Sequence, residues 1–359
     1  MKMDSDKIDY KIIKGHADEE ELEQYRLTFE KNGSVRDIRN LLWLHQQNLA
    51  KTNTIFYAMS GNNIAAIYTA LPVIFNCNGR KCRALQSIDT ITDKSHRGKG
   101  LFPKLAGELY RDAKDEGFEL VYGFPNENSA PGFFKKLGWT SFGEAPFLLK
   151  PMRLGYFIQK FLNKGKEQES IEENVSYPAP GRKDLGADVY IDKIASFDKN
   201  YDSLWQKIAP HLGVCVDRGA GYMNWRYVEK PGVQYSRYGL YINGALKGVI
   251  VFTIRNKHQG RIGYIMELIY DKTDESAGAA LLQYAGSLFK TMKTDAVLAW
   301  CFEHSFNYPA YRKAGYYKLP ERFRPQHLFL GVKTLGENYK DSIADEKNWY
   351  ISYSDSDTV

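Results

Sequence analysis

Over residues 54–82 apolar and polar positions alternate in short runs broken by turn residues. The text is T-I-F-Y-A-M-S, G-N-N, I-A-A-I-Y-T-A-L-P-V-I-F, then N-C-N-G-R-K. A period of two interrupted by Gly and Asn predicts an antiparallel meander. A-L-Q-S-I-D-T-I-T extends it by one strand, and the period then changes. Leu101, Leu105, Leu109 and Tyr110 recur at helical spacing, which predicts an amphipathic helix over 101–116 that ends near Gly117. F-E-L-V-Y-G-F-P reads as a strand, and S-A-P-G-F-F-K-K-L as a helix stopping at Gly138-Trp139.

Residues 151–187 differ in texture. M-R-L-G-Y-F-I-Q-K-F-L predicts a short amphipathic helix, and the polar, proline-bearing run behind it reads as a connection between domains. The earlier pattern then returns. A hairpin has Asn243-Gly244 at its tip, R-I-G-Y-I-M-E-L-I-Y is a strand, A-G-A-A-L-L-Q-Y-A-G-S-L-F-K a helix, and D-A-V-L-A-W-C-F a strand. Leu120 leads to F-F-K-K-L-G-W as Val297 leads to A-Y-R-K-A-G-Y, and both Leu120/Val297 and Gly138/Gly315 differ by 177 (297 − 120 and 315 − 138). Strand, short helix and terminal glycine-aromatic pair matching at one offset predict an internal duplication. The expected division is 1–150, a connection over 151–187, a second domain over 188–335 and a tail over 336–359.

Composition narrows the chemistry. With 359 residues, 43% hydrophobic and 26% charged, the chain has the makeup of a soluble globular protein of about two domains. A formal charge of +6 without a dense Lys/Arg block gives no reason to expect a nucleic-acid partner. No stretch approaches the ~20 apolar residues of a membrane span, and M-K-M-D-S-D-K-I-D-Y lacks the apolar core of a secretory signal. The expectation is a cytoplasmic protein with no membrane partner. Cys77, Cys82, Cys215 and Cys301 show no CxxC spacing and no histidine cluster, so free thiols and no metal are expected.

The chemistry concentrates at S-H-R-G-K-G-L-F, residues 95–102, where a strand hands over to a helix. A helix N-terminus carries about half a positive charge and unpaired N–H groups. Gly98 and Gly100 let the backbone approach an anion closely, while Arg97 and Lys99 add full charges. Pyrophosphate fits such a turn. G-K-G-L-F lacks the third glycine of a dinucleotide fingerprint, and without G-K-[ST] it is no P-loop.

Strand, R-G-K-G turn, helix, strand and a short helix closing on L-G-W resembles the GNAT superfamily of acyl-CoA-dependent N-acyltransferases. T-I-T-D-K-S-H-R-G-K-G-L-F resembles that superfamily's pyrophosphate loop, with Arg97 on its arginine and Phe102 where Gly or Ala is usual. The resemblance covers residues 40–145 well and 195–330 more weakly, and it points to the tandem-domain type. It implies an α/β (mixed α+β) fold of two tandem GNAT-like domains. Each would have a central, mostly antiparallel sheet flanked by helices, and the second would be degenerate. It further implies that Thr90, Ile91 and Thr92 offer strand-edge groups to the acyl-pantetheine arm. Gly98, Lys99, Gly100, Leu101 and Phe102 would wrap the pyrophosphate of acetyl-CoA, and Asn126 and Ser129 would touch the pantetheine. Y-M-N-W-R-Y-V-E-K-P, residues 222–231, resembles a run in bacterial GNAT-like proteins associated with surface polysaccharides. Trp225 and Arg226 there are either sugar or carboxylate contacts, or a core tryptophan and a salt-bridged arginine.

Acyl transfer to an amine needs a proton acceptor, donors at the thioester oxygen and a proton for the leaving thiolate. Many GNAT enzymes place a tyrosine four residues before the glycine of the short helix; Phe134 stands there in the first domain, and Tyr311 in the second. Asp89 and Glu127 are candidate bases, against the alternative that Asp89 pairs with a neighbouring lysine or caps a loop. Tyr122 is a candidate donor, against a half-buried strand tyrosine. His96 is expected on phosphate or solvent, and Glu303 and His304 on an acceptor cleft. D-E-S-A-G-A-A in the second domain has no arginine and two acids, Asp274 and Glu275, so a second cofactor site is not expected. The reading is an acetyltransferase acting on a primary amine of a small polar acceptor such as an amino sugar. The alternatives are a peptide, protein or drug-amine acetyltransferase, or a non-catalytic acyl-CoA-binding or scaffold protein.

Overall fold

The computed structural model describes residues 9–162 and 173–358. The opening residues 1–8 and much of the polar connection, residues 163–172, lie outside the described residues. Three elements precede the meander: β1 (Lys11–Lys14), α1 (Glu19–Lys31) and α2 (Ile38–His45). Asp18 and Asp37 open the two helices, each accepting a backbone N–H of the first turn. The meander itself is β2 (Ile55–Ser60), β3 (Asn63–Cys77) and β4 (Arg80–Thr92), followed by α3 (Leu101–Asp115), β5 (Phe118–Gly123) and β6 (Thr140–Glu144). Asn78 and Gly79 join β3 to β4 with φ of 53° and 84°, the left-handed pair that a two-residue hairpin turn requires.

The chain continues through β7 (Phe147–Pro151), α4 (Leu154–Leu162), β8 (Glu173–Asn174), β9 (Lys183–Gly186) and β10 (Val189–Lys193). Then come α5 (Lys199–Ile208), β11 (Val214–Val216), α6 (Ala220–Tyr227), β12 (Ser236–Ile242), β13 (Ala245–Lys257) and β14 (Gly260–Tyr270). It closes with α7 (Glu275–Thr291), β15 (Ala296–Trp300), α8 (Tyr308–Lys313), β16 (Tyr317–Lys318) and β17 (Phe329–Thr334).

Two compact units result, and they are not the consecutive segments 1–150 and 188–335 expected from the sequence. The first runs to Ile74, resumes over Cys82–Gly143 and ends with Phe329–Ala344; the second holds Phe75–Lys81, Glu144–Leu328 and the chain from Asp345 on. The sheet of the first unit has the order β1-β2-β3-β4-β5-β17-β6, and the other has β16-β7-β15-β14-β13-β12-β10-β9. The strand that follows β6 in the chain thus lies in the second sheet, where Phe147 pairs with Trp300, and the late strand β17 returns to pair Gly331 with Gly123. A hydrophobic strand pattern marks a strand but not the sheet that receives it.

Each unit repeats one plan. β4 runs parallel to β5 and β14 parallel to β15, whereas their other neighbours are antiparallel. The short helical turns after β5 and β15 end at Gly138 and Gly315, with φ of 68° and 83°. This is the duplication at offset 177 in three dimensions. In the first unit Leu101, Leu105 and Leu109 of α3 pack on Tyr68, Leu85 and Val121, and on the opposite face Leu22, Tyr25 and Phe29 of α1 pack on Tyr57 and Ile67. The four cysteines are buried.

Candidate functional site: the open end of the first sheet

β4 and β5 pair from Arg83/Phe118 to Ser87/Gly123 and then part. At that last pair a Cβ on Gly123 would sit 3.0 Å from the Ser87 carbonyl oxygen, so only glycine allows the strands to close this tightly before diverging. β4 slips phase at the same place. Leu85 packs on the α3 side and the Ser87 hydroxyl reaches Tyr68 there, yet Asp89 meets Tyr25 and Ile91 packs in the α1 cluster. Residues two apart on a regular strand share a face, so one residue of register is absorbed between Ser87 and Asp89. The stretch from Ile88 to Thr92 consequently has no strand partner on its β5 side among the described residues.

Thr90, on the face opposite Asp89, carries a buried hydroxyl oxygen with no hydrogen-bond partner. Such a group costs free energy unless something meets it. Past Thr92 the chain enters a tight turn. Asp93 is buried and accepts from Ser95 N at 2.9 Å and Ser95 Oγ at 2.5 Å, and pairs with Lys31 Nζ at 2.7 Å. These bonds, Lys31 first, hold its carboxyl below the ordinary range. Asn32 Oδ1 accepts from Lys94 N, and the His96 ring is held against Tyr10, 2.9 Å from Nδ1 to the phenolic oxygen. The turn is therefore pinned before it reaches the glycines. Asp93 did not figure in the sequence reading; D-K-S before the turn is the Asx-turn pattern that marks it.

Gly98 and Gly100 have φ of 77° and 72°, and a Cβ on either would meet nothing within 4 Å. They are needed for their backbone conformation, and the space in front of them is open. Gly100 is the N-cap of α3 and no side chain caps that end; no acid lies in the first turn. Arg97 and Lys99 are exposed beside it. Leu101 and Phe102 differ from the rest: Leu101 is buried, and the Phe102 ring packs edge-on to Phe133 and Tyr68, close over Gly132. The aromatic residue at 102 thus fastens the start of α3 to the turn that follows β5.

That turn is a π-turn over Gly132–Lys136, closed by Leu137 N on the Gly132 carbonyl at 3.1 Å, where the sequence suggested an ordinary helix. Asn126 opens it: its Oδ1 accepts from Asn128 N and from Ser129 N and Oγ. Asn126 and Glu127 are exposed and Ser129 is half-buried, on the segment leaving β5. Phe134 faces β17, near Gly331 and Phe329, and offers no hydroxyl.

The proposed proton-transfer residues fall in three environments. Asp89 is gripped by Arg36 through two bonds of 2.7 and 3.0 Å and by the Tyr25 hydroxyl at 2.8 Å. Its partner is an arginine from the loop after α1, not a neighbouring lysine. Tyr122 is buried, with its hydroxyl 3.4 Å from Gln86 Oε1. Glu127 alone of the three is exposed. A further chain of polar groups escaped the sequence reading. Ser87 Oγ donates to Tyr68 Oη at 3.2 Å, Tyr68 and Tyr110 share a bond of 2.7 Å, and Trp139 Nε1 donates to Tyr110 at 3.0 Å. Burial pushes the Tyr68 phenol up to about 12.

The second unit parts its strands in the same way, after Ile265/Ala299, but the gap is filled. Tyr350, Ser352 and Ser354, near the end of the chain, donate to the Glu267 carboxylate at 2.6, 2.8 and 2.7 Å, and Tyr353 stacks on Trp300 at 4.5 Å. Glu267 also takes Arg218 Nε at 2.5 Å, and Arg218 in turn holds Asp355. All are buried. Burial opposes ionising Glu267, yet Arg218 and the three hydroxyls bring its carboxyl below the usual value. At the start of α7, Gly278 is not left-handed and lies under the Tyr270 ring. Tyr311 is a core residue beside Tyr316. His304 and Glu303 are bound to the Trp349 carbonyl and to Lys318, and Trp225 and Arg226 are buried, Arg226 on the Ser356 carbonyl. Among the described residues no cluster of His, Cys, Asp and Glu could hold a metal, and no helix is long and apolar enough to cross a membrane.

Residues 15–142 match the family model of the acetyltransferase (GNAT) domain, a span lying within the first unit's part of the chain except for a short excursion at β3. No curated protein matches the sequence. Three solved structures are similar. A GCN5-related N-acetyltransferase from Anabaena variabilis is 12% identical, over 91% of this chain and 73% of that one, with a TM-score of 0.60. A conserved Enterococcus faecalis protein described as a probable N-acyltransferase is 13% identical over 91% and 72%, TM-score 0.58. Saccharomyces cerevisiae N-myristoyltransferase, solved with myristoyl-CoA and inhibitors, is 11% identical over 99% and 89%, TM-score 0.60. At these identities the likeness is one of fold: a mixed α/β architecture with two GNAT-like halves.

Proposed function

We propose that the first unit binds acetyl-CoA and transfers its acetyl group to a primary amine of a small polar acceptor. One observation carries the reading. Two left-handed glycines open an uncapped helix beside an unpaired strand edge, and the equivalent place in the second unit is filled by the chain's own Tyr350–Asp355 stretch. The residues fit the cofactor. Backbone N–H groups around Gly98, Gly100 and Leu101 with the charges of Arg97 and Lys99 would hold the pyrophosphate. Thr90, Ile91 and Thr92 would take the pantetheine arm along the open edge of β4, where the Thr90 hydroxyl awaits a partner. Asn126 and Ser129 would border it on the other side.

Acetyl-CoA when bound supplies the acyl group as an activated thioester. Backbone donors on the free edge of β4 would polarise its carbonyl. Of the candidate bases, Glu127 is the one whose exposure suits accepting a proton from an incoming ammonium; Asp89 is committed to Arg36 and Tyr25. With Trp225 and Arg226 in the core, nothing in the run 222–231 favours a sugar over another amine. A second reading, an acyl-CoA-binding protein without turnover, is favoured by Phe134 in place of a tyrosine and by the committed Asp89.

Two measurements separate them. Acetyl-CoA at about a hundred times its Kd should stabilise the protein by about 2.7 kcal/mol, visible as a raised melting temperature, and Arg97→Glu should remove that rise. Thiol release with a panel of amines then decides between enzyme and binder. No shift with acetyl-CoA would sink both readings; a shift without turnover on any amine would leave only the binder.

A further inference from the structure

A chain of polar groups crosses the floor of the open gap in the first sheet. Ser87 Oγ bonds to Tyr68 Oη at 3.2 Å, Tyr68 to Tyr110 at 2.7 Å, and Trp139 Nε1 to Tyr110 at 3.0 Å. Its two ends meet at Gly123, where β4 and β5 make their last pair. A Cβ on Gly123 would stand 3.3 Å from Ser87 Cβ and 3.6 Å from Trp139 Cη2. The missing side chain leaves the vertex of the gap to these two residues.

The hydrogens of this chain outnumber its bonds. Trp139 can only donate, so one N–H and three O–H hydrogens serve three bonds. One hydrogen always lacks an acceptor inside the chain. While Ser87 donates inward, that hydrogen belongs to a buried tyrosine, which is costly. When the Ser87 hydroxyl turns outward, Trp139, Tyr110 and Tyr68 each donate to the next group. The leftover hydrogen is then that of Ser87. Its link is the longest of the three, and Ser87 alone of the four residues is not buried. The chain is therefore built to present one donor at the vertex where the strands part.

Acyl transfer leaves a need for such a donor. The amine nitrogen bonds to the thioester carbon, the carbon–sulfur bond breaks, and its electron pair stays on sulfur; the proton lost by nitrogen passes to solvent. Phe134 has no hydroxyl to meet that sulfur and faces β17. We propose, on the reading that this site holds acetyl-CoA, that Ser87 donates a hydrogen bond to the leaving sulfur, with Tyr68, Tyr110 and Trp139 as its positioning residues. Burial raises both phenols, Tyr68 to about 12, while a cysteine-type thiol ionises near 8.5. The chain accordingly steadies the thiolate and keeps its own hydrogens.

Free coenzyme A tests this without turnover. Its thiol is titrated on the full chain by the ultraviolet absorbance of the thiolate. Bound to the wild type, the thiol should ionise at lower pH than in solution. Ser87→Ala should raise that midpoint by about one to two pH units, the worth of a hydrogen bond to a charged group. Tyr68→Phe should move it less, in the same direction, with melting temperatures confirming both folds. In amine acetylation Ser87→Ala should lower kcat roughly tenfold or more at an unchanged KM for acetyl-CoA. Equal midpoints in wild type and Ser87→Ala overturn the assignment. A midpoint that Ser87→Ala raises, in a protein that acetylates no amine, upholds the donor and sinks the transferase reading instead. Failure to bind coenzyme A removes the cofactor site and this inference with it.

Discussion

Gly100 and Gly107 lie seven positions apart, one at the N-cap of α3 and one inside it, and a Cβ on either would touch nothing. Sterics therefore predict no difference between Gly100→Ala and Gly107→Ala; backbone conformation predicts opposite signs. Gly100 sits at φ 72°, where an L residue pays about 1–2 kcal/mol, partly offset by the ~0.4–1 kcal/mol that alanine gains from a less flexible unfolded chain. The net is a loss of about 1 kcal/mol. Gly107 is helical, so alanine there should add roughly 0.5–1 kcal/mol. At about 2–4 °C per kcal/mol for a unit of this size, the two melting temperatures should differ by several degrees. The second half of the experiment concerns the ligand. Gly107→Ala should keep the rise in melting temperature expected with acetyl-CoA. Gly100→Ala should lose most of it, because a loop that relaxes out of the left-handed region turns its N–H groups away from the anion. If the variants melt alike, or if Gly100→Ala keeps the full ligand shift, the cradle described here does not bind through those amides.

Further expectations concern the residues around this site and in the second unit. Asp89→Asn should lower stability by about 2–4 kcal/mol, because it leaves Arg36 without its carboxylate, while any residual folded protein keeps its turnover; an intact fold with lost turnover would instead make Asp89 the base. Glu267→Gln should destabilise by about 3–5 kcal/mol, since the buried Arg218 loses a partner and three hydroxyls lose an ionised acceptor; chemical denaturation measures it. Asp271 is nearly buried. Desolvation works against its ionisation, but hydrogen bonds from Lys207 and Thr273 bring its carboxyl down to about 2. Its folded value lies below the unfolded one, so its contribution is whole above about pH 4 and is lost as pH falls toward 2. The melting-temperature gap between wild type and Asp271→Asn should close over that window.

The local grammar of this protein was written in its sequence. Period-two runs set the meander, the 3.6-residue spacing of Leu101, Leu105 and Leu109 set α3, and Asn78-Gly79 set its hairpin, because each depends on neighbours a few residues away. The glycine turn at 97–100 was legible for the same reason: left-handed backbone, helix terminus and cations are consecutive. Residues 9–53 gave no comparable signal, yet α1 and the loop behind it carry Tyr25 and Arg36 to Asp89. Which sheet takes a strand was decided only in three dimensions. β7 and β17 were not singled out from the sequence, and each completes the sheet built mainly from the other half of the chain, since a pleated apolar edge fits any complementary edge. The fate of the site residues was decided there too. Asp89 takes as its partner an arginine 53 positions away, and Glu267 is the centre of a sealed knot through residues more than 80 positions downstream. Pairings at that separation leave no periodicity in the text, because the chain between them is free to vary.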